Sequence, residues 1–304
     1  MIDFDAAVAL IDDHDSWRSL AASLDAETDA GGGDETTYRK LAKLIHPDAA
    51  GARRGVTATA AFAKLGRLYA GREEAGRVVL SGDIADLTRV GAVLRKVPRE
   101  PRDNDLMEAE AAALRQLADR GDPKYRPYAP KLIDSFVHED PRRNRRVVND
   151  LEFLAGFVPL TGLKLDWRDA AWMWRRLLVA LGWAHRAGVV HGAVFEEHVL
   201  IHPGEHGLAL VDWCYAVARP QALIKGKHYP PEVTENRENL PATDIYLATA
   251  LMRRLIGAGM PAPLKRFAEG CMFDAPRMRP QDAWRLLTEL DEILGPRKFR
   301  PLSL

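Results

Sequence analysis

The order in which two kinds of apolar pattern occur constrains the fold more than any other feature of this chain. Between residues 76 and 97, Val78-Val79-Leu80, Ile84 to Val90 and Ala92-Val93-Leu94 are short apolar stretches cut apart by Ser81-Gly82-Asp83 and Gly91. Runs this short between turn residues predict three strands. A helix-spaced series follows (Leu106, Ala109, Ala113, Leu114, Leu117),. Two further strand-like runs, Leu132 to His138 and Arg146 to Leu151, flank the turn Asp140-Pro141-Arg142-Arg143-Asn144. From Trp167 the chain is mainly helical, apart from Val199-Leu200-Ile201 and Leu208 to Val211, which predict a strand-loop-strand element,. Strands gathered ahead of helices indicate an α+β fold of two lobes rather than alternating βαβ units. No tandem repeat marks a solenoid.

The first 75 residues have a different character. Phe4, Val8 and Ile11, then Trp17, Leu20 and Leu24, recur at near-helical spacing ahead of Gly31-Gly32-Gly33,. Thr36 or Thr37 is placed to cap a helix through Tyr38, Leu41, Leu44 and Ile45,. Pro47 stops it, because proline disfavours the α conformation in the residue before it. A second helix from near Thr57 aligns Phe62, Leu65, Leu68 and Tyr69. Residues 36 to 72 therefore read as a helical hairpin whose turn carries His46-Pro47-Asp48.

With 304 residues, 47% of them apolar, the chain can fill two domain cores or one large one,. Lys plus Arg and Asp plus Glu number 43 each, which gives no global electrostatic reason to expect nucleic acid or an anionic membrane as partner,. No apolar run approaches the ~20 residues a membrane span needs. The acidic start MIDFDAAVALIDDHD lacks the features of a secretory signal,. Two cysteines, Cys214 and Cys271, suit a reducing compartment better than a disulfide scaffold,. A soluble cytoplasmic protein is expected.

The segment Tyr38-Arg39-Lys40-Leu41-Ala42-Lys43-Leu44-Ile45-His46-Pro47-Asp48, with Ala61 to Leu65 and Leu68-Tyr69 downstream, resembles a J-domain. The resemblance implies that His46, Pro47 and Asp48 engage a DnaK-type chaperone and stimulate its ATPase, with Arg39, Lys40 and Lys43 docking it electrostatically. Read without it, the tripeptide is a helix stop with Asp48 as a cap. The segment before the triple glycine is longer and more acidic than the family's usual first helix.

Residues 185 to 213, HRAGVVHGAVFEEHVLIHPGEHGLALVDW, resemble the catalytic core of a protein kinase with most catalytic side chains replaced. In that family His-Arg-Asp, four residues and Asn precede Asp-Phe-Gly. Here His191-Gly192-Ala193 leads to His198, and Asp212-Trp213-Cys214 fills the second motif. Ala193 cannot act as the base, His198 is a poor ligand for magnesium, and Phe195 replaces a frequent lysine. Glu196 and Glu197 read as solvated loop carboxylates, with a relocated base as the alternative. His191 is structural by resemblance, and Asp212 is either a magnesium ligand or a buried structural carboxylate. Lys96 resembles the strand lysine that grips nucleotide phosphates, and Glu110 its helix partner, with Arg95 and Glu108 as competitors. Ser81-Gly82-Asp83 replaces the glycine-rich phosphate loop and brings a negative charge there,.

The scaffold positions are better matched. Pro230-Pro231-Glu232 and Arg279-Pro280 resemble the family's paired glutamate and arginine, and Asp244 the aspartate that holds the catalytic loop. No serine or threonine lies between Asp212 and Glu232. Trp167, Trp172, Trp174 and Trp183 read as core filling, and Arg142 to Arg146 as a solvated basic turn,.

Taken together, the resemblances imply an α+β chain: an N-terminal helical J-like domain over 1–73, followed by a bilobal protein-kinase-like fold over 76–304, with lobes 76–158 and 159–304. The implied function is a catalytically inactive kinase-like adaptor that recruits a DnaK-type chaperone to a client protein. ATP and magnesium are its implied cofactors, through Lys96, Glu110 and Asp212. The alternatives are an atypical ATP-dependent phosphotransferase or nucleotidyltransferase using Asp212 and Lys96, and an ATP sensor without turnover.

Overall fold

The computed structural model describes residues 3–14, 17–27, 34–47, 54–74, 78–139, 143–296 and 302. Helix occupies 52% and strand 15% of the described residues, and the described strand pairs are antiparallel, so the fold is α+β. The chain divides into two compact units, one of residues 1–82 with 86–96, the other of 83–85 with 97–304.

The first unit begins with α1 (Phe4–Asp12), whose N-terminus is capped by the Asp3 carboxylate accepting from the Ala6 amide,. Then come α2 (Trp17–Glu27), α3 (Asp34–Leu44) and α4 (Gly55–Glu74). Their apolar stripes meet in one core around Ile11, Leu20, Leu41, Ile45 and Leu65, all buried. Tyr38 of α3 stacks on Tyr69 of α4 with centroids 4.0 Å apart, and Trp17 meets Tyr69 edge-on at 5.0 Å,. The start of α3 corrects the sequence reading. It begins at Asp34, so Thr36 and Thr37 lie inside the helix and neither caps it. Glu35, in the first turn, pairs with Arg39 one turn later,. The strands β1 (Val78–Ser81), β2 (Ala85–Val90) and β3 (Val93–Pro98) follow, with β1 antiparallel to β2.

In the second unit, α5 (Asn104–Arg120) precedes the long hairpin of β4 (Leu132–Glu139) and β5 (Arg145–Glu152). The expected turn residues 140–142 lie outside the described residues. Arg146 is not part of a solvated turn, because its guanidinium donates to the Pro98 and Arg99 carbonyls at 2.7 Å each. After β6 (Val158–Pro159), α6 (Trp167–Arg186) starts at Asp166, which caps it through the Arg168 amide. Trp172, Trp174, Leu177, Leu178 and Leu181 of α6 are all at most 2% exposed, Trp172 against His206 and Trp174 against Phe267 of a later helix. Burying α6 on more than one side anchors the unit, since each fully buried leucine contributes about 1.5–3 kcal/mol. The helices are α7 (Pro231–Thr234), α8 (Pro241–Ile256), α9 (Ala262–Gly270) and α10 (Ala283–Leu294). Between α6 and α7, β7 (Val199–His202) and β8 (Gly207–Leu210) form a small sheet with β6. That sheet and the end of α6 fix both ends of the loop 187–198.

Candidate functional site

The loop that follows α6 is held by one carboxylate. Asp244, in the first turn of α8 and fully buried, accepts from the His191 and Gly192 amides at 2.8 Å each, and His185 Nε2 lies 2.9 Å from it. Gly192 has φ +75, and a Cβ there would fall 2.5 Å from Asn239 Nδ2 and 2.6 Å from the Tyr215 carbonyl. Only glycine satisfies both the backbone and the space. The His191 ring is buried against Trp213, with centroids 4.6 Å apart. Its Nε2 lies 3.0 Å from the Val211 carbonyl, and its Nδ1 accepts from the Ala193 amide at 3.3 Å. One nitrogen must donate and the other accept, which is the neutral imidazole. Burial agrees, pushing the His191 pKa down to about 4,.

His198 has the opposite state. Its Nδ1 lies 2.8 Å from the Ala193 carbonyl and its Nε2 3.0 Å from Asp212 Oδ2. Both neighbours are acceptors, so both nitrogens donate and the ring is an imidazolium. Burial opposes this charge, but Asp212, the Ala193 carbonyl and Glu197 outweigh it and raise the pKa. The sequence reading weighed His198 only as a magnesium ligand and missed it as the partner of Asp212. Its signal was the spacing of a basic residue before β7 and a carboxylate directly after β8, which a hairpin brings side by side. Asp212 itself sits in the left-handed region at φ 62, ψ 58, which aspartate tolerates better than most residues,.

The space around Asp212 is filled from several directions. Ala193 is fully buried and packs in one cluster with Ala85, Met107, Val147, Cys214 and Tyr215. The Tyr215 hydroxyl donates to Asp83 Oδ2 at 2.8 Å, and burial, then the Asp83 charge, raise the Tyr215 pKa far above its ordinary value. Asp83 is thereby tied to the residues that follow Asp212. Glu110, fully buried on α5, accepts from Asn149 Nδ2 at 3.0 Å. Ligand atoms of Glu110, Asp212 and Cys214 all lie within 4.8 Å of one another. Two carboxylates and a thiol are a mixed donor set, unlike the all-oxygen shell magnesium prefers.

Other sequence-selected residues differ from the sequence reading in their surroundings. Glu196 and Glu197 are not solvated carboxylates: both are half-buried, Glu196 paired with Arg254 and Glu197 with Lys227 at 2.6 Å. Tertiary packing supplied cations that local sequence did not display. Lys96 is 4% exposed and Arg95 half-buried, while on α5 Glu110 is buried and Glu108 exposed. Arg279 and Glu232 form a bidentate buried pair, Nη1 to Oε1 at 2.6 Å and Nη2 to Oε2 at 3.0 Å. Thr243 also donates to Glu232, at 2.8 Å.

In the first unit, His46 is exposed just beyond α3, with its ring edge-on to Phe62 at 5.2 Å. Arg39, Lys40 and Lys43 are exposed on α3, and Pro47 is half-buried. Arg39 shares its charge with Glu35 at 2.5 Å. Asp48 lies outside the described residues. Tyr38, Ala42 and Phe62 floor a shallow open groove rimmed by Arg39, Lys43 and His46.

No protein-family model matches the chain, and comparison with curated proteins yields no match.

Proposed function

We propose that this chain is a catalytically inactive kinase-like adaptor, with a J-like helical domain over 1–73 that recruits a DnaK-type chaperone to a client held by a kinase-like domain over 76–304. The observation that carries the inactive half is the His198–Asp212 ion pair beneath Ala193. The carboxylate best placed for a metal is neutralised by a histidine of the same loop, and the position that would hold a general base is an alanine. General-base assistance contributes ~10²–10⁴-fold in rate, and phosphoryl transfer depends on metal ions that neutralise developing charge. Support for the recruiting half is the exposed His46 beside a basic face of α3.

Incubation with magnesium or manganese and γ- or α-labelled ATP tests the first half, with Asp212→Ala as control. No labelled protein product is expected. Label incorporated by the wild type and lost in the control would establish the phosphotransferase or nucleotidyltransferase alternative that uses Asp212 and Lys96. The second half predicts stimulation of a DnaK-type ATPase that His46→Gln removes without unfolding the protein. Equal rates for wild type, variant and chaperone alone would sink it.

A further inference from the structure

We propose that the cavity between the C-terminal half of α5 and the first half of β4 is a docking site for an extended peptide segment of a partner protein that alternates acidic and aliphatic residues. The cavity measures about 470 Å³, within the range of ~300–1,000 Å³ usual for binding sites. Leu117 and Trp183 give it an apolar wall, and its lining charges are Arg115, Arg126 and Lys131 against the single carboxylate of Asp134. Arg126 is anchored by donating to the Ala118 carbonyl at 2.8 Å. Asp134 is engaged locally, accepting from the Ser135 amide at 2.7 Å. Among the described residues no carboxylate pairs with Arg115 or with the Lys131 ammonium. The Glu152 carboxylate accepts from the Lys131 amide at 3.2 Å beside the cavity, and the lining itself still carries three cations to one carboxylate over an apolar wall, the complement of a segment carrying both acid groups and aliphatic side chains,.

Two further observations point to an extended ligand. Among the described residues β4 pairs with β5 and stands last in the strand order, so no described strand takes its outer edge. Along it Ile133 and Val137 are 53% and 51% exposed, an apolar presentation that an unguarded edge strand normally avoids,. A strand added to such an edge gains main-chain hydrogen bonds, while pockets for alternate side chains set specificity. The buried Trp183 Nε1 also lacks an acceptor, and Gly121 keeps the indole close, since a Cβ there would fall 2.5 Å from Nε1. An incoming carbonyl or carboxylate would satisfy that donor.

The site gives the proposed adaptor its client-binding surface and rests on that reading for its biological role, though not for its chemistry. The test uses the full chain and a fluorescein-labelled octapeptide alternating Asp or Glu with Leu or Val, read by fluorescence polarisation. Its counterpart carries Lys at every acidic position. Saturable binding of the acidic peptide is expected, with affinity lowered roughly tenfold or more in Arg115→Glu/Lys131→Glu. Ile133→Asp, a surface change that leaves the melting curve in place, is expected to weaken binding comparably. Absence of binding at millimolar peptide, equal binding of the lysine counterpart, or unchanged affinity in the charge-reversed variant would overturn the proposal. So would a dimer in sedimentation that Ile133→Asp dissociates, which assigns the face to a second copy of the chain. Peptide binding without chaperone stimulation removes the recruiting function and leaves the groove; the reverse result removes only the groove.

Discussion

The helices of the first unit and the surroundings of the loop 187–198 in the second solve the problem of burial in opposite ways. In the helices, apolar and aromatic side chains fill the core and the charges stay outside, as Arg39 and Glu35 do at 76% and 67% side-chain exposure. Around the loop the interior is polar: His191, His198, Glu232, Asp244 and Arg279 are all at most 5% exposed. A buried charge that loses its partner is costly, so each member of these pairs becomes hard to replace. An apolar core fixes shape through volume and leaves surface charges free to vary. The loop should therefore be sensitive to charge and pH, and the helices to side-chain volume.

The largest effect should come from Glu232→Ala. It strands the Arg279 guanidinium in the interior, and loss of one partner of a buried pair costs about 3–5 kcal/mol. Urea unfolding reads this directly, and a cost below 1 kcal/mol would break the contrast. Leu65→Ala in the helical core should cost about 2–5 kcal/mol through lost burial and a residual cavity. His46→Gln in the same unit, at an exposed position, should cost less than about 1 kcal/mol,. A larger loss would show that the contacts of the His46 ring, that with Phe62 among them, hold the turn.

Next in size is the pH response. His191 is held neutral with a pKa near 4, below its ordinary 6.5. Between those values the unfolded chain binds a proton that the folded chain refuses. Its contribution is present above pH 6.5 and falls by about 3 kcal/mol as pH drops through 4. His198 is raised above 6.5, so its contribution is complete below that pH and lost as pH rises through the folded value. The stability difference between wild type and His198→Gln should thus be largest below pH 6.5 and shrink in alkali. A difference that grows with pH would mean that His198 is not the charged partner of Asp212. The smallest effect is expected from Glu35→Gln, which removes an exposed pair one helical turn apart and should cost about 0.2–0.5 kcal/mol.

Much of the framework was legible because it is local. Short apolar runs between turn residues marked β1 to β5, and helical spacing marked α3 to α6, within a few residues of their ends. The start of α3 was missed because a threonine reads as a cap wherever it precedes a helical pattern, while the helix from Asp34 already runs through Thr36 and Thr37,. Asp83 was legible as a charge in the turn between two strands, but its use was not. Its bond to Tyr215 spans 132 residues, and no pattern near either position announces the other.

By itself, the sequence determined the periodicities, the order of strands and helices, and the alanine at position 193. Those are properties of neighbouring residues, and each is written within one or two turns of chain. Only the tertiary structure decided which charges are solvated. Glu196 and Glu197 found Arg254 and Lys227, and His198 took both the Ala193 carbonyl and Asp212. A charge is stable in an interior only when an opposite charge or a hydrogen-bond partner arrives from elsewhere in the chain. Whether one arrives depends on the path of the whole backbone, which no local stretch of sequence contains.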